Sequence, residues 1–332
     1  MLGSVSTLGI LGKDLSIIRN GQRLYQDLSY QVSTGKKYRE LKDYQANAPR
    51  IIDLNQEIEA RTAYQQSIDL ANLNVEAYNA TLDRLVDVAQ DLAKAADTIG
   101  TSDPNWESDT LTLTDNMMLE VESILNSQIG DRYIYAGSRY GTAPTIDLRT
   151  LTVFDNVTPP PGAFLVANPN VPEYDTSFVA PGPTADATAY DLAEVTIDVG
   201  LRIQYGVSAD NDAFQRLVHG LRVLKSAAQP ISGVLTTADR DAYLGIARQQ
   251  AQLAQDAIRQ LQSTNGAVMS KFARTKDLHS EFIGIANLAL DGIEVADTAS
   301  AATKLSALTS QIEVSYATIS RKAELSLVNF LR

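Results

Sequence analysis

The sequence contains no cysteine and very little histidine or tryptophan. Its 332 residues include no Cys, two His and one Trp. A chain without Cys forms no disulfide, holds no Cys-ligated zinc and has no thiol nucleophile. The two histidines, His219 and His279, do not stand in a paired metal-ligand spacing such as H-x-x-x-H. We therefore expect neither a metal site nor a cofactor.

Positive charge and long apolar runs are also scarce. Lys and Arg number 28 against 40 Asp and Glu, which gives a formal net charge of −12. A surface that binds nucleic acid needs clustered cations, so this balance argues against nucleic acid as a partner. No stretch approaches the roughly 18 consecutive apolar residues of a membrane span, and no basic region marks the first residues as a Sec signal. We expect a soluble protein with no membrane partner.

The many acidic residues do not form a recognisable catalytic pair. Asp210 and Asp212 are the best candidates, in the run Ser208-Ala-Asp-Asn-Asp212. This composition is typical of a loop followed by a helix cap, and not of paired acid and base groups. We expect that the protein is not an enzyme and has no catalytic residues.

Proline is rare outside the centre of the chain. Eight of the 11 Pro residues fall between Pro144 and Pro183. The flanking arms, roughly residues 1–137 and 207–332, contain three more: Pro49, Pro104 and Pro230. Because an internal Pro removes a backbone donor and clashes with the preceding turn, long helices are allowed in the arms.

Both arms carry an apolar repeat with a period close to 3.5 residues, which is typical of a coiled coil. In the first arm, steps of four and three residues join Ala71, Val75, Tyr78, Leu82, Leu85, Ala89, Leu92, Ala96 and Ile99. In the second arm, the same steps join Leu244, Ala247, Ala251, Ala254, Ile258, Leu261, Asn265, Val268 and Phe272, with Asn265 as the only polar break. We expect the second arm to fold back antiparallel onto the first, giving a mainly α protein with an elongated helical rod.

A third helix is predicted to begin near residue 102. Ser102 or Asp103 can cap it, and Pro104 suits its first position. We expect it to stop near Gly130. Its predicted inward face is Leu113, Met117, Val121 and Ile124.

The centre changes to patterns typical of strands. Residues 132–135, 152–154, 164–166 and 195–199 are short, β-branched or aromatic segments bounded by Gly, Pro and Asn. Residues 138–200 hold two Arg against eight acids, whereas residues 1–42 hold seven cations against three acids. We expect a small, acidic, β-rich insert, and we expect residues 141–200 to be dispensable for folding of the helices.

Both ends of the chain are amphipathic. One stripe, in a first helix that Gly35 should end, is Leu11, Leu15, Ile18, Tyr25, Leu28 and Val32. The last helix carries Leu305, Leu308, Ile312 and Ile319, and then the apolar end Leu325, Leu327, Phe330 and Leu331. Chain ends are usually polar, so an apolar end needs a partner surface. Two interpretations stay open here: docking of the last helix on its own subunit, or burial between subunits.

Three motifs in the arms resemble the flagellin family. Gln31-Val-Ser-Thr-Gly-Lys-Lys37 is similar to the S-T-G-K/R segment that follows the family's first helix, and Ile293-Glu-Val-Ala-Asp-Thr-Ala299 is similar to its acidic E-D-A-D-x-A stretch. The ending Ala323-Glu-Leu-Ser-Leu-Val-Asn-Phe-Leu331 is similar to the family's SLLNYL termini. Leu41-Lys-Asp-Tyr44 departs from the usual Pro-Ser-Asp-Asp-Pro connector, since it lacks the proline.

The segment Gly130-Asp-Arg-Tyr-Ile-Tyr-Ala-Gly-Ser138 looks like the G-R-Y-I-F-A-G motif of the hook-associated branch of the family. This resemblance implies an extracellular structural subunit that joins hook-associated proteins to the flagellar filament. It implies assembly through the two apolar ends and export as an unfolded chain. The implied partners are further copies of the chain in a ring-like or helical array, an adjacent hook-associated protein, the filament flagellin and an export chaperone.

Two other functions remain as alternatives. One is a major filament flagellin. The other is a cell-surface adhesin whose insert binds glycans by stacking on Tyr133, Tyr135, Tyr140, Tyr174 and Tyr190. The predicted organisation is an assembly helix and connector at 1–45, the two rod halves at 46–137 and 207–285, the insert at 138–206 and a C-terminal assembly helix at 286–332.

Overall fold

The chain folds into two compact units. A computed structural model describes residues 3–99, 104–137, 140–145, 147–151, 191–229 and 236–330, with side chains described between residues 16 and 321. Unit 1 combines Met1–Thr62 with His279–Arg332, and unit 2 is Ala63–Leu278. Helices dominate both units, which confirms the expected mainly α fold. The five-segment organisation drawn from the sequence stays a prediction.

Unit 1 is built from four helical segments. Helix α1 is Gly3–Thr34 and α6 is Thr298–Phe330. The beginning of α2, which is Ala48–Thr98, and the end of α5, which is Thr237–Glu294, complete the unit. As predicted, Gly35 ends α1: its φ of +72° is the left-handed conformation of a C-terminal cap, and its N–H donates to Gln31 O at 2.9 Å.

The connector between α1 and α2 forms a 3₁₀ turn at Leu41–Asn47. Tyr44 is buried with Ile51 of α2 and Leu290 of α5, and its ring meets that of Tyr38 edge-on at 5.1 Å. Gln45 has a φ of +49°, which is uncommon for a residue other than Gly. The connector that lacks the family's proline is therefore fixed by a buried tyrosine.

Unit 2 contains the antiparallel pair of α2 and α5 that the period of 3.5 predicts. Polar contacts join progressively earlier residues of α5 to later residues of α2. These contacts are Lys276 Nζ to Asp69 at 2.6 Å, Asn265 to Asn79 at 3.0 Å, Gln262 to Asp83 at 2.6 Å, and an ion pair of Arg248 with Asp97. All predicted positions of the α2 stripe are buried except Ile99, which is half-buried.

Helix α4, Asp212–Ala228, fills the space between this pair and α3, Trp106–Leu125. A helix cap lies in the run 208–212 as predicted, but the capping residue is Asn211, whose Oδ1 accepts from the Ala213 N–H at 3.0 Å, and neither Asp210 nor Asp212. Buried Lys225 donates from Nζ to the Asp115 carboxylate and to Arg149 O, both at 2.8 Å. Because these partners satisfy its charge, a lysine is tolerated in the core.

Two predictions for α3 are wrong. The helix ends at Leu125, before Gly130, because the chain turns into a hairpin of β1, Gln128–Ile129, and β2, Arg132–Tyr133. Leu113 is 41% exposed, whereas Met117, Val121 and Ile124 are buried as expected. The helix begins at Trp106, and the predicted caps Ser102 and Asp103 lie outside the described residues.

The insert contributes a second hairpin, β3 at Ala193–Asp198 and β4 at Leu201–Tyr205. Ile197 and Ile203 pack with Ile68, Val75 and Phe272 of the two long helices. Leu148, at the start of a 3₁₀ turn that ends at Thr150, is buried in the main core. Residues 141–200 thus contribute side chains to both cores, and whether they are dispensable for folding stays a prediction. The predicted strands at 152–154 and 164–166 lie outside the described residues.

Candidate assembly interface

The terminal helices α1 and α6 pack against each other within unit 1. They run antiparallel. Gln22 Nε2 donates to Tyr316 Oη at 2.9 Å, and just outside the two helices the backbones of Lys36 and Val295 form an antiparallel bridge. A Cβ on Gly21 would lie 3.4 Å from Ile312 Cγ1, so the two helices are in close contact there. The predicted stripes of the two chain ends thus face each other in a single chain.

This pairing covers the stripes only in part. Leu28 is buried, and Ile18, Leu305, Leu308, Ile312 and Ile319 are half-buried. Tyr25 and Val32 remain exposed. The backbone is helical at Leu11, Leu15, Leu325, Leu327 and Phe330, whose side chains are outside the described set, as is Leu331 altogether.

Other exposed apolar residues on the same helices were not predicted from the sequence. Ile17 and Leu24 of α1 are 55% and 49% exposed, and Val314 of α6 is 65% exposed. Ile17 and Leu24 are seven residues apart, so they form a second stripe beside the predicted one. The spacing of seven residues between them could have revealed this second stripe from the sequence, but only one face of α1 was predicted to be an interface.

The two motifs that carry the family resemblance at the chain ends contact each other. The Lys37 N–H donates to Glu294 O and the Ala296 N–H donates to Gly35 O, both at 2.7 Å. Lys36 Nζ lies 2.7 Å from the Glu294 carboxylate, and this hydrogen bond raises the pKa of Lys36. The S-T-G-K-K segment therefore lies on the turn between α5 and α6.

Charged side chains at this turn also cap both helices. Lys37 Nζ donates to Gly292 O at 3.2 Å and to Ile293 O at 2.8 Å, which satisfies carbonyls in the last turn of α5. Asp297 Oδ1 accepts from the Ser300 N–H at 2.9 Å at the start of α6. The acidic motif is thus a helix cap that sets where the last helix begins.

The tyrosine segment before the insert has a structural role in unit 2. Tyr135 is fully buried, its hydroxyl lies 2.6 Å from Thr81 Oγ1, and its ring contacts Tyr78 and Phe214 edge-on. Burial raises the pKa of both Tyr78 and Tyr135 well above the usual value, so both stay neutral. Tyr135 is unavailable for stacking on a glycan.

Only two members of the proposed glycan-stacking set are accessible in the described structure. Tyr133 and Tyr140 line a cavity of about 130 Å³, and Arg132 covers the ring of Tyr140 at 4.1 Å. Tyr174 and Tyr190 lie outside the described residues. No contact in the described structure favours a glycan over any other occupant of this cavity.

Across the described ranges, no three His, Cys, Asp or Glu side chains are placed to hold a metal ion. Within the same ranges, no helix is both long and apolar enough to cross a membrane. The described residues of the candidate interface contribute apolar packing, helix caps and exposed charges.

The arrangement of paired terminal helices agrees with a comparison to known families. Residues 239–331 match the family described as "Bacterial flagellin C-terminal helical region". The matched residues span nearly all of α5 and α6, so this part of the chain is similar to that region. No curated protein sequence matches the chain.

A comparison of folds found a solved structure with a similar fold. A structure from Vibrio parahaemolyticus, described as that of a "putative flagellar hook-associated protein", is similar with a TM-score of 0.54 at 13% identity. The match covers 75% of this chain and 98% of that one. At this identity the likeness shows a shared fold.

Proposed function

We propose that the chain is an extracellular structural subunit of the bacterial flagellum, at the junction between hook-associated proteins and the filament. The observation that carries this proposal is the flagellin-family match over residues 239–331, which ends in a helix paired with the N-terminal helix. The fold shared with a protein described as hook-associated supports the junction position. A major filament flagellin is the alternative.

Assembly follows from the incomplete covering of the terminal helices. Burying a large apolar side chain is worth roughly 1.5–3 kcal/mol, and the α1–α6 pair leaves Ile17, Leu24 and Val314 largely exposed. A neighbouring copy would cover them. Subunits related by a rotation that does not close form a helical array, of which a short layer would join hook to filament.

The proposed partners are other flagellar proteins. Besides further copies of itself, the chain contacts an adjacent hook-associated protein on one side and the filament flagellin on the other. It leaves the cell as an unfolded chain, accompanied until export by a chaperone. A structural role of this kind needs no enzyme activity.

The test is removal of the apolar end, Glu324 to Arg332. The shortened chain should melt like the full chain, because unit 2 contains none of these residues, yet it should fail to support filament growth on hooks in a strain lacking the native gene. Two full-length variants separate the apolar side chains from the length of the chain. Changing Leu325, Leu327 and Phe330 to Ser should also abolish filament growth. Changing the polar neighbours Ser326 and Asn329 to Ala is the matched control and should leave filament growth intact.

Limited proteolysis of dilute monomer tests the same mechanism separately. We expect rapid trimming of about the first and last forty residues, since α1 and α6 cover each other's apolar side chains only in part and such segments open locally. Ends that resist protease in the monomer, or a shortened chain that still builds filaments, would mean that the α1–α6 pair is stable without a neighbour and that this mechanism is wrong.

A further inference from the structure

The end of α5 carries an apolar stripe that unit 1 covers only in part: the guanidinium of Arg61 lies 4.2 Å from the centre of the Phe282 ring. Phe282, Ile285 and Leu288 are 41%, 55% and 72% exposed, although Leu290 on another face of the same helix is buried against the α2 side of the unit. Steps of three residues keep the three side chains on adjacent turns of one face. Single exposed apolar residues are ordinary, but a contiguous group of this kind marks an interaction surface.

Helix α1 of the same chain offers a matching stripe. Ile17 and Leu24 are seven residues apart and Phe282 and Leu288 are six apart, so both stripes extend about 10 Å along their helices. Both stripes are exposed in one chain, so neither covers the other within it. An α1 helix that covers the α5 stripe would therefore come from another molecule.

Charge favours a second copy as that molecule. Residues 279–294 of α5 contain Glu281, Asp291 and Glu294 and no Lys or Arg, and since Glu294 is paired with Lys36 of the same chain, the charge argument rests on Glu281 and Asp291. In α1, Arg19 and Arg23 lie close to the apolar stripe in sequence, both are exposed, and neither forms an ion pair with another described residue. We infer that the α5 stripe of one copy receives helix α1 of the next, with Ile17 and Leu24 against Phe282, Ile285 and Leu288.

The inference rests on the proposed assembly function and deepens it. Since the two stripes are different surfaces, each copy can bind one neighbour through α1 and another through α5, and the contact is then heterologous and produces a ring or an open helical array. Two copies that exchanged both contacts with each other would instead stop at a dimer, as would a stripe that paired with its own counterpart.

The absence of Cys makes cross-linking a direct test. Single-Cys chains with Ile17→Cys or Leu24→Cys are mixed with chains carrying Ile285→Cys or Leu288→Cys, assembled under reducing conditions, and then oxidised. We expect at least one of the four mixtures to give a mixed disulfide dimer at several times the yield of a control with Asn287→Cys, an exposed neighbour outside the stripe. A chain with both members of that pair should give a ladder of multimers.

Sedimentation before oxidation separates the possible failures. If unsubstituted chains never assemble, the proposed function fails and this inference fails with it. If assemblies form but cross-link no better than the control, or link only through Leu288→Cys to Leu288→Cys, this inference alone is wrong. As a second measurement, Leu288→Lys should raise the critical concentration for assembly at least tenfold, whereas Asn287→Lys should leave it nearly unchanged.

Discussion

Helix α4 lies close to the α2–α5 pair at Gly220, and replacement of this residue by Ala sets two effects against each other. An added Cβ would lie 2.9 Å from Leu92 Cδ2 and 3.2 Å from Gln250 Cβ. Ala is favoured over Gly inside a helix by about 1 kcal/mol. Forcing an extra carbon into a packed core costs about 1–3 kcal/mol. Because Leu92 is fully buried and has little room to move, we expect the second effect to prevail.

The predicted result is a loss of up to about 2 kcal/mol in the free energy of unfolding, which lowers Tm by roughly 2–4 °C per kcal/mol for a unit of this size. The matched control is Gly245→Ala in α5, where an added Cβ meets no atom within 4 Å, so that variant should gain about 0.5–1 kcal/mol. Calorimetry and urea titration followed by circular dichroism measure both. If Gly220→Ala is stabilised as much as Gly245→Ala, the close approach of α4 is wrong.

Three further changes test local parts of the structure. Tyr135→Phe should cost about 1 kcal/mol in urea unfolding, because it removes the hydroxyl that lies 2.6 Å from Thr81 Oγ1 in the core; an unchanged midpoint would count against that bond. Asp297→Ala should cost about 1 kcal/mol and speed hydrogen exchange at the start of α6, whereas Asp297→Asn, which keeps the cap acceptor, should have a smaller effect. Burial raises the pKa of Glu122, because it disfavours the charged carboxylate. Above that raised pKa the side chain is charged in the folded chain, which lowers stability; below the usual carboxyl pKa it is neutral in both the folded and the unfolded chain, so the cost disappears. Glu122→Gln should therefore stabilise the chain at pH 7 and lose that advantage near pH 4, and equal midpoints for the two chains at pH 7 would contradict this.

The heptad spacing predicted the paired helices well because apolar side chains at that spacing have one way to leave water. Leu82, Leu85 and Leu92 of α2 are fully buried, as their positions require. The same rule failed on α3, where Thr110 and Thr114 face the core and Leu113 does not. Each Thr hydroxyl donates to the carbonyl four residues earlier, at 2.6 and 2.7 Å. A residue that looks polar in sequence is thus satisfied by its own helix.

The candidate interface was predictable as a set of surfaces, but its partners were not. An apolar stripe shows that a helix face needs covering, and it does not say which chain supplies the cover. In the structure, the stripe of α1 that includes Leu28 faces α6 of the same chain, while the neighbouring stripe at Ile17 and Leu24 remains exposed. The contact between the S-T-G-K-K motif and the turn before α6 joins residues more than 250 positions apart, and spacing within one helix carries no information on such a contact.

The central claim, that this chain is the structural subunit at the junction of hook-associated proteins and filament, is tested most directly by its position in the flagellum. Electron microscopy of intact filaments labelled with an antibody against unit 2 locates it. A subunit of the junction gives label confined to the hook-proximal end of each filament. Label along the whole length would identify a filament flagellin instead, and label absent from hooks and filaments alike would contradict a flagellar role.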